Sequence, residues 1–163
     1  MHTVHKFLRG EAYHPDLRLS HDAIVSNPDE KGGIPHDEFE RTPTLIQWLF
    51  PTMRPSSHQP NAPVLAQGDV AQIQDDPVVA QALLRGNQYM RRFYSGAVGK
   101  PLLLQNRNHN HLRITRVIES LSLLHSKELA QEFVRFVCQI NAKAGYKVNM
   151  ASVEFWNNAR WYG

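Results

Sequence analysis

The chain has 163 residues, 42% hydrophobic and 20% charged, which suits one globular domain over residues 1–163 and excludes a disordered tract. Eighteen basic against fifteen acidic residues give a formal charge of +3, which permits a nucleic-acid partner without demanding one. No run of about 18 apolar residues offers a membrane span, and Met1–Phe7 has no apolar secretory core, so a soluble cytoplasmic protein is expected.

In chain order, Leu17, Leu19, Ala23, Ile24 and Val25 form an apolar group in a short helix that Asp16 can cap. Asn27 to Pro35 reads as a loop, interrupted by two prolines and a glycine pair. Thr42-Pro43 then places a capping hydroxyl before a proline at a first helical position. A compact apolar helix follows from Thr44 to Phe50, and Pro51 stops it. From Pro51 to Ala66 four prolines exclude a regular helix; Ala62, Val64 and Leu65 give this long loop something to bury.

The remainder is helix upon helix. A short helix over Val70 to Gln74 precedes Asp76-Pro77, a second cap-then-proline signal, which opens a helix with Val79, Ala82, Leu83, Gly86, Met90 and Phe93 on one stripe. Residues Tyr94 to Pro101 break it. Asn108 or Asn110 can cap the next helix, whose stripe of Ile114, Val117, Ile118, Leu121 and Leu124 is the strongest amphipathic pattern in the chain. Ser126 begins another, with Leu129, Phe133, Phe136, Val137 and Ile140 inward and Gly145 near its end. Asn149 opens a last one carrying Val153, Phe155, Trp156 and Ala159. Leu102-Leu103-Leu104 is the one short run that could pass for a strand. The expected fold is therefore all-α, an irregular bundle of six or seven helices with the proline-rich loop after the second or third.

Few residues signal chemistry. Cys138 lies in an apolar helical pattern and reads as a small buried hydrophobe. Glu128 and Glu132 read as a solvated pair on a helix flank. No catalytic constellation or cofactor motif appears, so a non-enzymatic protein without cofactor is expected, with a small enzyme as an alternative. The stretch Gln105 to Arg116 supports three readings. As a helix start with Arg107, Arg113 and Arg116 it attracts an anion such as a phosphate or carboxylate. His109 and His111 could ligate a metal, but their spacing puts them on different helix faces, so no metal is expected. The third reading is a capped helix start with satisfied polar side chains. Separately, Arg85, Arg91 and Arg92 interleave with Tyr89, Phe93 and Tyr94, a pattern that can bind single-stranded nucleic acid. Trp48, Phe50 and Trp156 read as core, whereas Trp161-Tyr162 can form a contact surface.

Leu45-Ile46-Gln47-Trp48-Leu49-Phe50-Pro51, followed by Ser56, Asn61-Ala62-Pro63 and Leu65, resembles the conserved region of the opioid growth factor receptor family. Phe7-Leu8-Arg9-Gly10 leading to Arg18 and Ile24, and Asn108 to Arg116 with the helices after it, fit the same family; together the blocks span roughly residues 7 to 140. Where that family usually has a histidine three residues before the Ile-Gln-Trp string, Pro43 stands here. The resemblance implies a short, single-domain relative of proteins that bind an enkephalin pentapeptide, restrain growth and associate with the nuclear envelope without a membrane span. It points to a peptide or small anionic ligand as partner. The two densest family-like blocks suggest a site from Gln47, Trp48, Asn108, His109, His111 and Arg113. In that reading Arg113 holds a carboxylate or phosphate and Trp48 supplies an apolar wall.

Overall fold

Helix formation starts at His2, whose ring Nδ1 accepts the Val4 N–H at 3.1 Å and so caps α1 (Thr3–Leu8). The computed structural model describes residues 1–26, 33–56, 58–96, 110–145 and 150–158. Among these residues there are nine helices and no strand, only an isolated parallel bridge between Thr52 and Val64. The all-α expectation holds. The count exceeds six or seven because α1 and α3 are single turns of six residues, too short to display a period. The proline-rich loop consequently follows the fourth helix, not the second or third.

Contact density divides the chain into two compact units, Met1–Tyr89 and Met90–Gly163, with the boundary inside one long helix. In the first unit, α2 (His21–Val25) is capped by Ser20, whose Oγ accepts the Ala23 N–H at 3.1 Å. Asp16, the cap expected from sequence, instead takes the Thr44 hydroxyl proton at 3.2 Å. The second cap also differs. Thr42 donates to the Glu38 carbonyl at 2.9 Å at the end of α3 (His36–Arg41), and α4 (Leu45–Leu49) begins one residue after Thr44 without a side-chain cap. The helix ends before Pro51, as expected.

The loop that follows is fastened at its ends, where the Leu65 N–H donates to the Thr52 carbonyl at 2.9 Å. Ala62 and Leu65 are buried there, but Val64 is 40% exposed, because the bridge turns it outward. α5 (Gln67–Gln74) follows, with Asp69 reaching back to the Ala66 N–H at 2.8 Å. α6 (Pro77–Ser95) opens as the sequence predicts: Asp76 Oδ1 accepts the Val78 N–H at 3.0 Å. Its stripe residues Val79, Ala82, Leu83, Met90 and Phe93 are all fully buried.

In the second unit, α7 (Asn110–Leu124) packs on α8 (Lys127–Lys143), and α9 (Met150–Asn158) packs on both. The α7 stripe is buried throughout, and Ser126 caps α8 through the Leu129 N–H at 3.1 Å. Gly145, at φ +80°, follows the end of α8 in the left-handed conformation that a helix stop favours. Phe136 is only half-buried, and the Arg91 guanidinium covers it at 4.8 Å from the ring centre. Phe155 is 50% exposed while Trp156 is fully buried, so α9 directs one aromatic inward, not two. Cys138 is free and half-buried, and burial raises its thiol pKa, which leaves it an inert packing residue. The expected caps Asn108 and Asn149, the run Leu102–Leu104, Ala159 and the pair Trp161-Tyr162 lie outside the described residues.

Gly33 shows how tightly the first unit closes. Its φ is +99°, and a Cβ there would stand 2.3 Å from the Ile24 carbonyl oxygen and 2.8 Å from the Tyr89 ring. Next to it, the Ile34 N–H bonds the Ile24 carbonyl at 2.8 Å and the Tyr89 hydroxyl donates to the Ile34 carbonyl at 2.9 Å. Backbone conformation and backbone contact both exclude a side chain. Gly33→Ala is expected to cost upwards of ~2 kcal/mol by urea denaturation, from left-handed strain plus overpacking.

Candidate functional site

Polar groups gather in the interior of the first unit around three histidines. His5 Nε2 and Arg9 Nη1 both donate to Asp76 Oδ2, at 2.8 and 2.7 Å, while Asp76 Oδ1 serves the α6 N-terminus. Burial alone would raise the Asp76 pKa, but the hydrogen bonds from Arg9, His5 and the Val78 N–H outweigh it and bring it from 3.8 to about 2. Both carboxylate oxygens are thus engaged, and the group is a structural anchor that stays ionised at ordinary pH.

His14 is fully buried, with ring centres of Trp48 at 5.7 Å and Phe7 at 6.4 Å, both edge to face. Its Nδ1 accepts two backbone N–H groups, of Asp16 and Leu17, each at 3.2 Å. The ring proton must then reside on Nε2, which donates to Thr44 Oγ1 at 3.3 Å, and Thr44 passes its own proton toward Asp16 Oδ2 at 3.2 Å. Burial lowers the His14 pKa and the Asp16 charge opposes that shift.

His21 is the anomaly. It is 1% exposed and packs on Phe7 at 5.5 Å, yet neither ring nitrogen has a hydrogen-bond partner among the described residues. Burial, then the Arg85 charge, pushes its pKa down to about 3, so the ring is neutral at ordinary pH.

The sequence candidates fall into the two units separately. Gln47 is buried in the first, where its amide, oriented by its surroundings, donates to the carbonyls of Pro43 and Thr44 at 2.9 and 3.0 Å. Those bonds tie the Gln47 side chain to the backbone at the start of α4, whose N–H groups have no side-chain cap. Trp48 lies edge to face with Phe7 at 5.5 Å and with His14, a core position. In the second unit His111 and Arg113 are both buried on the first turn of α7. The His111 carbonyl accepts from Trp156 Nε1 at 3.3 Å and from Thr115 Oγ1 at 3.1 Å, and its ring meets Trp156 edge-on at 5.5 Å. Its Nε2 is buried without a hydrogen-bond partner among the described residues, and burial lowers its pKa. Asn108 and His109 lie outside the described residues.

The basic helix face is partly spent. Arg85 pairs with Asp22 at 3.3 Å and Arg91 covers Phe136, while Tyr89, Phe93 and Tyr94 are fully buried and offer no stacking surface. Among the described residues no three His, Cys, Asp or Glu side chains converge as a metal-binding group, and no helix is long and apolar enough to cross a membrane. Sequence made Asp76 a helix cap but did not foresee its bonds to His5 and Arg9, nor the network around His14.

An all-helical chain whose Ile46-Gln47-Trp48 segment forms a buried hub matches a defined family: residues 13–101 fit the model described as the opioid growth factor receptor (OGFr) conserved region, and the chain belongs to that family. Among curated relatives it is similar to the opioid growth factor receptor of Homo sapiens, 30% identical over 116 residues, which covers 62% of this chain and 17% of the relative. The receptors of Rattus norvegicus and Mus musculus are each 31% identical over 116 residues, covering 20% and 18% of their lengths. The chain thus spans about a fifth or less of those relatives. No solved structure matches it.

Two acid-range outcomes follow from the buried groups. Asp76 has a folded pKa below its free value, so its contribution is present above pH 3.8 and is lost as pH falls toward about 2. Asp76→Asn is expected to be less stable at pH 7, with the gap to wild type narrowing across that window in urea titrations. His21 is also depressed, from 6.5 to about 3, so below pH 6.5 the unfolded chain takes up a proton that the folded chain refuses. That erodes stability by about 1.4 kcal/mol per pH unit. His21→Leu is expected to flatten this slope and, by removing two orphaned nitrogens, to raise stability at pH 7 by ~1–2 kcal/mol.

Proposed function

We propose that the chain is a non-enzymatic ligand-binding domain of the opioid growth factor receptor kind, its ligand a peptide or small molecule with a free anionic group. Family membership carries this reading, together with the name of the relatives, which are called receptors for an opioid growth factor. One physical observation supports a place for the anion. The first turn of α7 holds a buried arginine, Arg113, and beside it His111, whose buried Nε2 has no hydrogen-bond partner among the described residues. A helix N-terminus adds backbone N–H groups and the positive end of its dipole. Asn108 and His109 stand directly before it in sequence and complete the proposed polar set. Gln47 and Trp48 remain candidates whose substitution the same assay scores.

The test is a thermal-shift series with an enkephalin-type pentapeptide, as the free acid and as the C-terminal amide, on wild type and Arg113→Gln. A ligand at a hundredfold excess over its Kd stabilises by about 2.7 kcal/mol. Wild type is expected to respond to the free acid more than to the amide, and Arg113→Gln to lose that difference. Equal stabilisation of both proteins by the free acid would remove Arg113 from the site. No shift with either peptide would remove this ligand class.

A further inference from the structure

The turn between α1 and α2 is built around one side chain. Backbone bonds from the His14 N–H to the Leu19 carbonyl, 2.9 Å, and from the Arg18 N–H to the His14 carbonyl, 2.8 Å, close it. The His14 ring completes it from beneath, Nδ1 taking the Asp16 and Leu17 N–H groups. Asn or Asp commonly does this work with a side-chain oxygen. An imidazole nitrogen does the same while neutral, but it becomes a donor when protonated. Two N–H groups would then face a third, and the turn would lose both bonds at once.

The turn is also held under tension. Arg18 is the one non-glycine residue with positive φ among the described residues, at +55°. Its side chain is exposed, and so is Tyr13, at 68%, where the family match begins. A strained backbone bearing an exposed aromatic and an exposed cation persists only while its surroundings hold it.

We infer that His14 is a pH-sensitive latch: in its neutral Nε2–H form it holds the Tyr13–Leu19 turn closed, and proton uptake at Nδ1 releases that turn while the helices around it stay folded. The groups facing the ring are few. Its own turn presents Asp16, which favours the proton; α4 and the residue before it present Trp48 and Thr44, and α1 presents Phe7, none of which titrates in the relevant range. Burial outweighs Asp16, so release falls on the acid side of ordinary histidine titration. The latch is independent of the proposed α7 ligand site, and neither stands or falls with the other.

Side-chain and backbone NMR of the wild-type chain between pH 8 and pH 4.5 tests it. At neutral pH the His14 ring is expected to carry its proton on Nε2. On acidification the ring signals and the amides of Asp16, Leu17 and Arg18 are expected to move together, with one midpoint below 6.5, while the amides of Leu45–Leu49 stay still. His14→Asn keeps an acceptor in place of Nδ1 but does not titrate, so its turn amides are expected to be flat over that range. A proton on Nδ1 at neutral pH, ring titration without movement of the turn amides, or the same amide midpoint in His14→Asn would each overturn the latch. The wild-type measurements decide it even where the variant folds poorly.

Discussion

The carboxylate of Asp76 collects donors from two distant stretches of chain. His5 and Arg9 reach it from α1 and the residue after it, and the Val78 N–H reaches it from the helix that Asp76 itself caps. The group is buried, so its charge is tolerable only because each oxygen is bonded and one cation is adjacent. Loss of either end of the arrangement would strand the other in a medium that solvates it poorly. The exposed pair of Asp37 with Arg41, by contrast, is a helix-surface contact worth ~0.3–0.5 kcal/mol. A six-residue helix such as α1 is far too short to persist by itself; the Asp76 bonds and the burial of Val4, Phe7 and Leu8 hold it.

Above that anchor sits an aromatic cluster of Phe7, Trp48, His14 and His21 in edge-to-face contact. The family string Ile-Gln-Trp therefore has a physical role in this chain. Gln47 ties off the start of α4, and Trp48 fills the space beneath the turn that His14 organises. Imidazole substitutes here for a hydrophobe with a polar edge. His14 uses that edge fully, whereas His21 does not use it at all.

The parts of the fold that could be read from sequence were those with a long period or strong punctuation. The stripes of α6 and α7 span several turns, and the caps Asp76 and Ser126 are the residue types that capping selects, so both survive in the structure. The misplaced caps have two causes. Asp16 is claimed by a distant partner, the Thr44 hydroxyl, whereas Thr42 bonds locally to the Glu38 carbonyl one turn back, at the end of a helix too short to announce itself by period. Gly33 is also beyond periodicity: its bare Cα is required by a φ of +99°, by the Ile24 carbonyl and by the Tyr89 ring, 56 positions away. At the start of α7, the proposed ligand site, sequence showed a polar run but gave no sign that His111 would be buried with an idle nitrogen. Phe93 was legible as part of the α6 stripe, but the burial of Tyr89 and Tyr94 beside the arginines was not, since a helix face is assigned by its neighbours.

The proline-rich segment after α4 is pinned at its base by the Thr52–Val64 bridge and the Leu65 to Thr52 hydrogen bond, with Thr52, Ala62 and Leu65 buried there. Its outer part, with Met53, Arg54, Pro55, His58 and Pro60, faces solvent. The energetics of closing such a loop depend only logarithmically on its length, so doubling it costs about 0.6 kcal/mol. An insertion at its tip leaves the base undisturbed. This segment is consequently a natural port for a reporter or affinity tag that must not perturb its buried base.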